Sequence, residues 1–290
     1  MMVRSTRGHL VALVTVIIWG VTFISTKVLL EEFSPVEILF YRFCIGFLLL
    51  LAIQPDIVKF RDWKQERLFA ELGATGIVIY FLMENVALEY TQAANVGLLV
   101  SAAPIFTALL AHWMTRDEKL SSKLWIGFIA AGAGIFLVIF NGSLVLHLNP
   151  WGDLLAVLAA LAWAIYSILL KKVNPELGPF YVTGRSFGYG ILLTLPLNLL
   201  WKDDFLPARA FNGRLAGNLL FLGLIASALC YALWNHAVKL IGAVKANNYI
   251  YLIPLVAMLT SVIVLREQIT GMMVLGGVLI LSGVYIGEKV

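Results

Sequence analysis

The stretch Trp234–Pro254, WNHAVKLIGAVKANNYIYLIP, decides the fold, because the chain contains it twice. Set beside Glu84–Pro104, ENVALEYTQAANVGLLVSAAP, it aligns without a gap: Asn85 falls on Asn235, Ala87 on Ala237, Ala93 on Ala243 and Pro104 on Pro254. The same register carries Arg116 onto Arg266 and Gly127 onto Gly277. A second register places Gly8, Trp19 and Pro35 on Gly152, Trp163 and Pro179. One half of the protein, residues 1–145, is therefore repeated by the other, residues 146–290. A functional site is expected between the two copies.

Composition settles which solvent the copies face. The 290 residues are 61% hydrophobic and 13% charged, with a mean hydropathy of +0.91, whereas soluble domains carry about 25% charged residues. Apolar runs near the roughly 20 residues needed to cross a bilayer recur along the whole chain. The reading is an all-α membrane protein with ten transmembrane helices, over 8–30, 35–54, 67–89, 92–115, 122–140, 151–172, 178–201, 213–239, 243–264 and 270–288. Ser34-Pro35, Asn141-Gly142, Asn149-Pro150, Asn174-Pro175 and Gly178-Pro179 supply turn and helix-start chemistry at the breaks. The first run is too long for a signal-peptide core and lacks a small-residue cleavage site.

Most Lys and Arg, from Arg4 and Arg7 through Lys59–Arg67, Arg116–Lys123, Lys171, Lys172 and Lys239 to Lys289, fall on the side of the N-terminus. That bias places both termini in the cytoplasm, with 202–214 the one poor fit. Each copy holds five spans, an odd number, so consecutive copies enter the bilayer in opposite orientations. The result is two inverted-topology repeats of five. Such repeats are the recurring plan of secondary transporters, with a substrate site near the midplane and alternating access by rocking of the halves.

The same composition excludes other classes. A net charge of +4 spread over short loops offers no basic patch for nucleic acid. Cys44 and Cys230 lie in apolar runs and read as buried thiols, and the four histidines lack metal-ligand spacing. Neither a metal nor a cofactor is expected. An intramembrane lipid-modifying enzyme would need a nucleophile, base or metal cluster near one leaflet, and no such constellation stands in the sequence.

Polar groups within hydrocarbon need a stated reason. Arg42 and Glu84 lie about 10 Å and about 9 Å below the same surface at 1.5 Å per residue, so a buried ion pair is expected between them. Its structural role would be to join the second and third spans. Its functional alternative is titration of Glu84 for proton coupling. Arg185 has no sequence-matched carboxylate, because Trp234 stands where the first half has Glu84. It is a candidate anion contact, with snorkelling as the alternative. Asn95, Asn235 and Asn248 are candidate amide contacts, with interhelical hydrogen bonding as the alternative.

Trp19, Tyr80, Trp163, Tyr166, Tyr231, Trp234 and Tyr249 sit near span centres, away from the interfaces that Trp and Tyr usually favour. They are the expected wall of a cavity for an apolar or aromatic metabolite. The fifth and tenth spans are rich in glycine, at Gly127, Gly132, Gly134, Gly276, Gly277, Gly283 and Gly287. They read as packing helices or as the seam of a homodimer, with a monomer as the alternative state. Pro104 and Pro254 mark kinks at matched points.

In SPVEILFYRF, VALEYTQAANVGLLVSAAPIFTALLA, LAVLAALAWAIYSILLKK and AVKLIGAVKANNYIYLIPLVAML, the chain resembles the EamA-type transporters of the drug/metabolite transporter superfamily. The resemblance covers nearly the whole chain. It implies ten helices in two inverted halves and a central cavity formed by spans 1, 3, 4, 6, 8 and 9. It also implies transport of small metabolites, including export of amino acids and among them aromatic ones. Import and multidrug export are the alternatives within the family.

Overall fold

The computed structural model describes residues 2–90, 93–114, 121–140, 149–201, 212–265 and 270–288. Arg116, Arg266 and the segment 202–211 lie outside them, and so does the side chain of Asn95. The described residues form ten helical spans and no strand. We number them α1 (Met2–Leu30), α2 (Pro35–Ile53), α3 (Trp63–Tyr90), α4 (93–114), α5 (Ser122–Phe140), α6 (Pro150–Leu170), α7 (Pro179–Trp201), α8 (Gly213–Ile241), α9 (243–265) and α10 (Gly271–Glu288). α1, α2, α3, α4, α6 and α8 contain stretches long and apolar enough to cross a bilayer, while Ser122–Leu137 and Val274–Gly287 are shorter apolar helices. The chain is a multi-pass membrane protein.

The boundaries follow from local chemistry. Ser34 accepts from the Glu37 amide at 3.1 Å while the Glu37 carboxylate accepts from the Ser34 amide at 2.8 Å, and Pro35 occupies the first turn. This reciprocal cap satisfies amides that have no partner inside the helix. Asp62, Asn149 and Asn212 cap α3, α6 and α8 in the simpler one-sided way. Gly242, at φ 86°, makes the tight link between α8 and α9 in a backbone conformation that disfavours a Cβ.

The two halves pack about a pseudo-twofold axis. α1 lies along α8 as α3 lies along α6, and α1 meets α9 as α6 meets α4. α2 crosses α8 as α7 crosses α3, and each crossing is set by glycine. A Cβ added to Gly46 would stand 2.9 Å from the Gly223 carbonyl oxygen, and one added to Gly73 would stand 2.7 Å from that of Ser186. Lipid gives no hydrophobic drive for helices to associate, so such close backbone approach is what holds them.

The glycine-rich α5 and α10 pack against one another within the chain. A Cβ on Gly127 would lie 2.7 Å from the Gly283 carbonyl oxygen, and one on Gly283 would lie 2.6 Å from that of Gly127. Of the two uses expected for this stripe, internal packing is the one the geometry gives these residues.

Two matched irregularities interrupt the spans. α3 passes through a π-helical segment at Ala74–Ile79, and α8 through one at Phe221–Leu229. These are equivalent positions in the repeat register. α4 breaks between Val100 and Ala103, just before Pro104, and α9 tightens into a 3-10 turn at Tyr249–Tyr251, three residues before Pro254. A proline contributes no amide to the helix ladder, so a break just upstream is the expected consequence.

Candidate functional site

The breaks in α4 and α9 face a small cavity between the two halves. Its wall includes Trp19 and Phe23 from α1, Tyr80 and Glu84 from α3, and Trp163 from α6. Gly97 and Ser101 border it at the α4 break, Ile250 and Ile253 at the α9 break. Discontinuous helices at a repeat interface are the recurring place for small-molecule sites in transporters.

The ring cluster is built on the repeated tryptophans. Trp19 and Trp163 meet edge to face, with centroids 5.2 Å apart and planes at 86°. Tyr80 stands 5.2 Å from Trp163. Each indole N–H is fixed: Trp19 Nε1 donates across the interface between halves to the Ala226 carbonyl at 2.9 Å, and Trp163 Nε1 donates within the second half to Asn247 Oδ1 at 3.1 Å. Ala226 lies in the π segment of α8. The equivalent residue in α3 is Gly76, whose carbonyl accepts from the Tyr231 hydroxyl at 2.6 Å. A π segment breaks the regular helical ladder, and in both halves a carbonyl in it serves a ring from the other half.

Tyr166, Tyr231 and Trp234 do not border the cavity. They are almost fully buried, and with Asn235 and Asn247 they form a layer between it and the end of the bundle that carries the N-terminus. The Tyr166 hydroxyl donates to Asn235 Oδ1 at 2.7 Å, and Asn235 Nδ2 donates to Thr183 Oγ1 at 2.9 Å. Thr183 in turn donates to the Pro179 carbonyl at 2.8 Å, while Asn85, the repeat partner of Asn235, reaches the equivalent carbonyl of Pro35 directly at 3.3 Å. Below this layer Tyr249 hydrogen-bonds His9 at 3.0 Å.

Asn248 turns away to α10, donating to the Val284 carbonyl at 2.7 Å. Its neighbour Asn247, which sequence reasoning passed over, holds Trp163 instead. Thr22, Phe81, Val100 and Ala103 also border the cavity without having been singled out, and only their proximity to matched positions could have pointed to them.

The charged residues depart furthest from expectation. Arg42 and Glu84 do not form the expected ion pair. Arg42 Nε donates to Ser227 Oγ in the π segment of α8 at 3.0 Å, and its guanidinium sits 4.2 Å from the Phe81 ring centroid. Glu84 Oε1 instead accepts from the Tyr80 hydroxyl, one helical turn earlier, at 3.0 Å. Equal depth brought the two charges to one level of the bundle, but Arg42 points across to the second half and Glu84 into the cavity.

Arg185 does have a carboxylate partner, Glu66 near the start of α3, and its second guanidinium nitrogen donates to the Ile57 carbonyl at 2.9 Å. Tyr189 also donates to Glu66, at 2.8 Å. The premise that Arg185 lacks a carboxylate is thereby corrected. Its partner comes from the start of α3, a stretch the repeat register does not relate to Arg42 or Glu84.

Comparison with known proteins agrees with this architecture. A relative from Archaeoglobus fulgidus, named only as an uncharacterized transporter, is 26% identical over 289 residues, covering 97% of each chain. A Salmonella typhimurium protein named "Probable amino-acid metabolite efflux pump" is 26% identical over 291 residues, covering 97% of this chain and 95% of its own. A solved crystal structure superposes with a TM-score of 0.78 at 17% identity, over 100% of this chain and 97% of its own, and so shares the fold. The EamA-like transporter family matches residues 6–140 and again residues 150–286. With both halves of its repeat matched, the chain belongs to the EamA-like transporter family, whose fold is two inverted repeats of five helices.

Proposed function

We propose that the protein is a secondary transporter of the inner membrane that exports amino acids or related small metabolites by alternating access, with both termini cytoplasmic. The observation that carries this reading is the cavity itself. It lies between the repeats at two matched helix breaks, and a buried layer separates it from the N-terminal end of the bundle. The Salmonella relative's name supports the class of cargo. Family membership supports transport over catalysis.

Uptake of labelled amino acids and their metabolites by purified protein in liposomes, with and without an imposed pH gradient, tests the reading. Trp163→Ala is expected to abolish uptake of the substrate. Because Trp163 also holds Asn247, Gly97→Leu provides a second test. Gly97 borders the cavity, and a Cβ there meets nothing within 4 Å, so a side chain at this position is directed into open space beside the site. Full uptake by a folded Gly97→Leu protein would move the substrate path elsewhere.

A further inference from the structure

The hydrogen-bond donors among the described side chains around the cavity are all occupied, and its acidic acceptor is only half so. Trp19 and Trp163 are engaged as described. The Thr22 hydroxyl donates to the Trp19 carbonyl at 2.7 Å, and the Ser101 hydroxyl to the Gly97 carbonyl at 2.7 Å. The Tyr80 hydroxyl is taken by Glu84 at 3.0 Å.

Glu84 itself is 93% buried, since its relative exposure is 7%, and what remains opens onto the cavity. Tyr80 occupies one of its carboxylate oxygens, which leaves the other for a ligand. No described lining side chain carries a positive charge. Arg42, the nearest cation among the neighbours described above, stands behind Phe81 and is directed at Ser227.

Among the described side chains, a substrate carboxylate entering this space meets no available donor, and an unpaired buried anion is costly. A substrate ammonium meets a carboxylate, with the π systems of Trp19, Tyr80 and Trp163 in the same wall, and both attract a cation. We propose that the cavity binds an amine that carries an apolar or aromatic group and no carboxylate, with Glu84 as the contact for its ammonium. The proposal rests on the reading of this cavity as the substrate site, and it narrows the cargo from amino acids to amines derived from them.

Binding of 2-phenylethylamine, phenylalanine and phenylacetate to the purified full chain in nanodiscs, followed by intrinsic tryptophan fluorescence, decides it. The three share a phenyl ring and differ in their charged groups. The amine is expected to bind about tenfold or more tighter than the zwitterion, and phenylacetate weakest. Glu84→Gln should remove that preference, whereas Tyr80→Phe, which leaves the carboxylate in place, should keep it.

Equal binding of phenylalanine and the amine, no binding of any of the three, or an undiminished preference in folded Glu84→Gln would overturn the proposal. The wild-type comparison needs no variant, so a Glu84→Gln protein that fails to fold does not block the test. Uptake into liposomes separates the two readings. Selective amine binding without uptake overturns transport and upholds the amine site. Uptake of phenylalanine in preference to the amine overturns the amine site and upholds transport.

Discussion

Glu66 and Arg185 form a buried ion pair that joins the start of α3 to α7. Glu66 is 2% exposed, Arg185 14%, and Tyr189 adds a third partner. A buried charge that loses its partner costs about 3–5 kcal/mol, while joint replacement by apolar groups is far less damaging. Glu66→Gln or Arg185→Met alone should therefore lower the stability of the detergent-solubilised protein by about 3 kcal/mol, and Glu66→Leu with Arg185→Met should recover part of that loss. Thermal unfolding of the single and double variants measures the coupling, and additive effects would show that the pair does not act as a unit. The folded fraction of Arg185→Met should still take up substrate, since Glu66 and Ile57 already occupy its guanidinium. Residue counting matched Arg42 and Glu84 by level along their helices but not by the direction in which each side chain points. Distance along a helix axis follows from counting residues, but the side on which a group emerges depends on every irregularity upstream of it. Arg42 and Glu84 show this: Glu84 follows a π segment that turns α3 off its regular α-helical phase.

At the scale of elements, the spans were legible because their ends carry their own signals. Ser34-Pro35 and Asn149-Pro150 place the starts of α2 and α6 within a residue of expectation. α1 begins earlier than expected, at Met2, because hydropathy marks the apolar core of a span and not the polar turns that extend it. The π segments were not legible. Nothing in ATGIVI or FLGLIASAL distinguishes a π insertion from regular helix by composition. Asn247 and Asn248 divide between Trp163 and the Val284 carbonyl, a choice between adjacent amides that the residue types alone do not make. The α5–α10 contact gives a sharp test. At Gly283 a Cβ would meet the Ala131 amide nitrogen and the Gly127 carbonyl oxygen, both at 2.6 Å, whereas at Gly132 it meets nothing within 4 Å. Gly283→Leu should lose most of the monodisperse peak in size-exclusion chromatography. Gly132→Ala should elute as the wild type does. A normal profile for Gly283→Leu would mean that the two helices can separate without loss of the fold.

The whole molecule presents one end closed and a cavity beyond it. Gly8 of α1 packs on Ile241 at the end of α8, with the Cβ it would carry 3.6 Å from the Ile241 Cβ, and Tyr249 binds His9 beside them. α1 and α8 come from opposite halves, so opening this end by rocking must draw them apart. The Cβ separation matches the roughly 3.5–4.5 Å of a disulfide. Gly8→Cys with Ile241→Cys, in a chain whose Cys44 and Cys230 are replaced by alanine, should cross-link on mild oxidation. Uptake into liposomes should fall to background in proportion to the cross-linked fraction and return on reduction. Binding at the cavity should survive the cross-link, because the cavity lies beyond the buried layer that the bond holds shut. Uptake that continues with the cross-link complete would rule out separation of α1 from α8 as a step of transport. Loss of binding together with uptake would place the cross-link's effect in the cavity and not in the closure of this end.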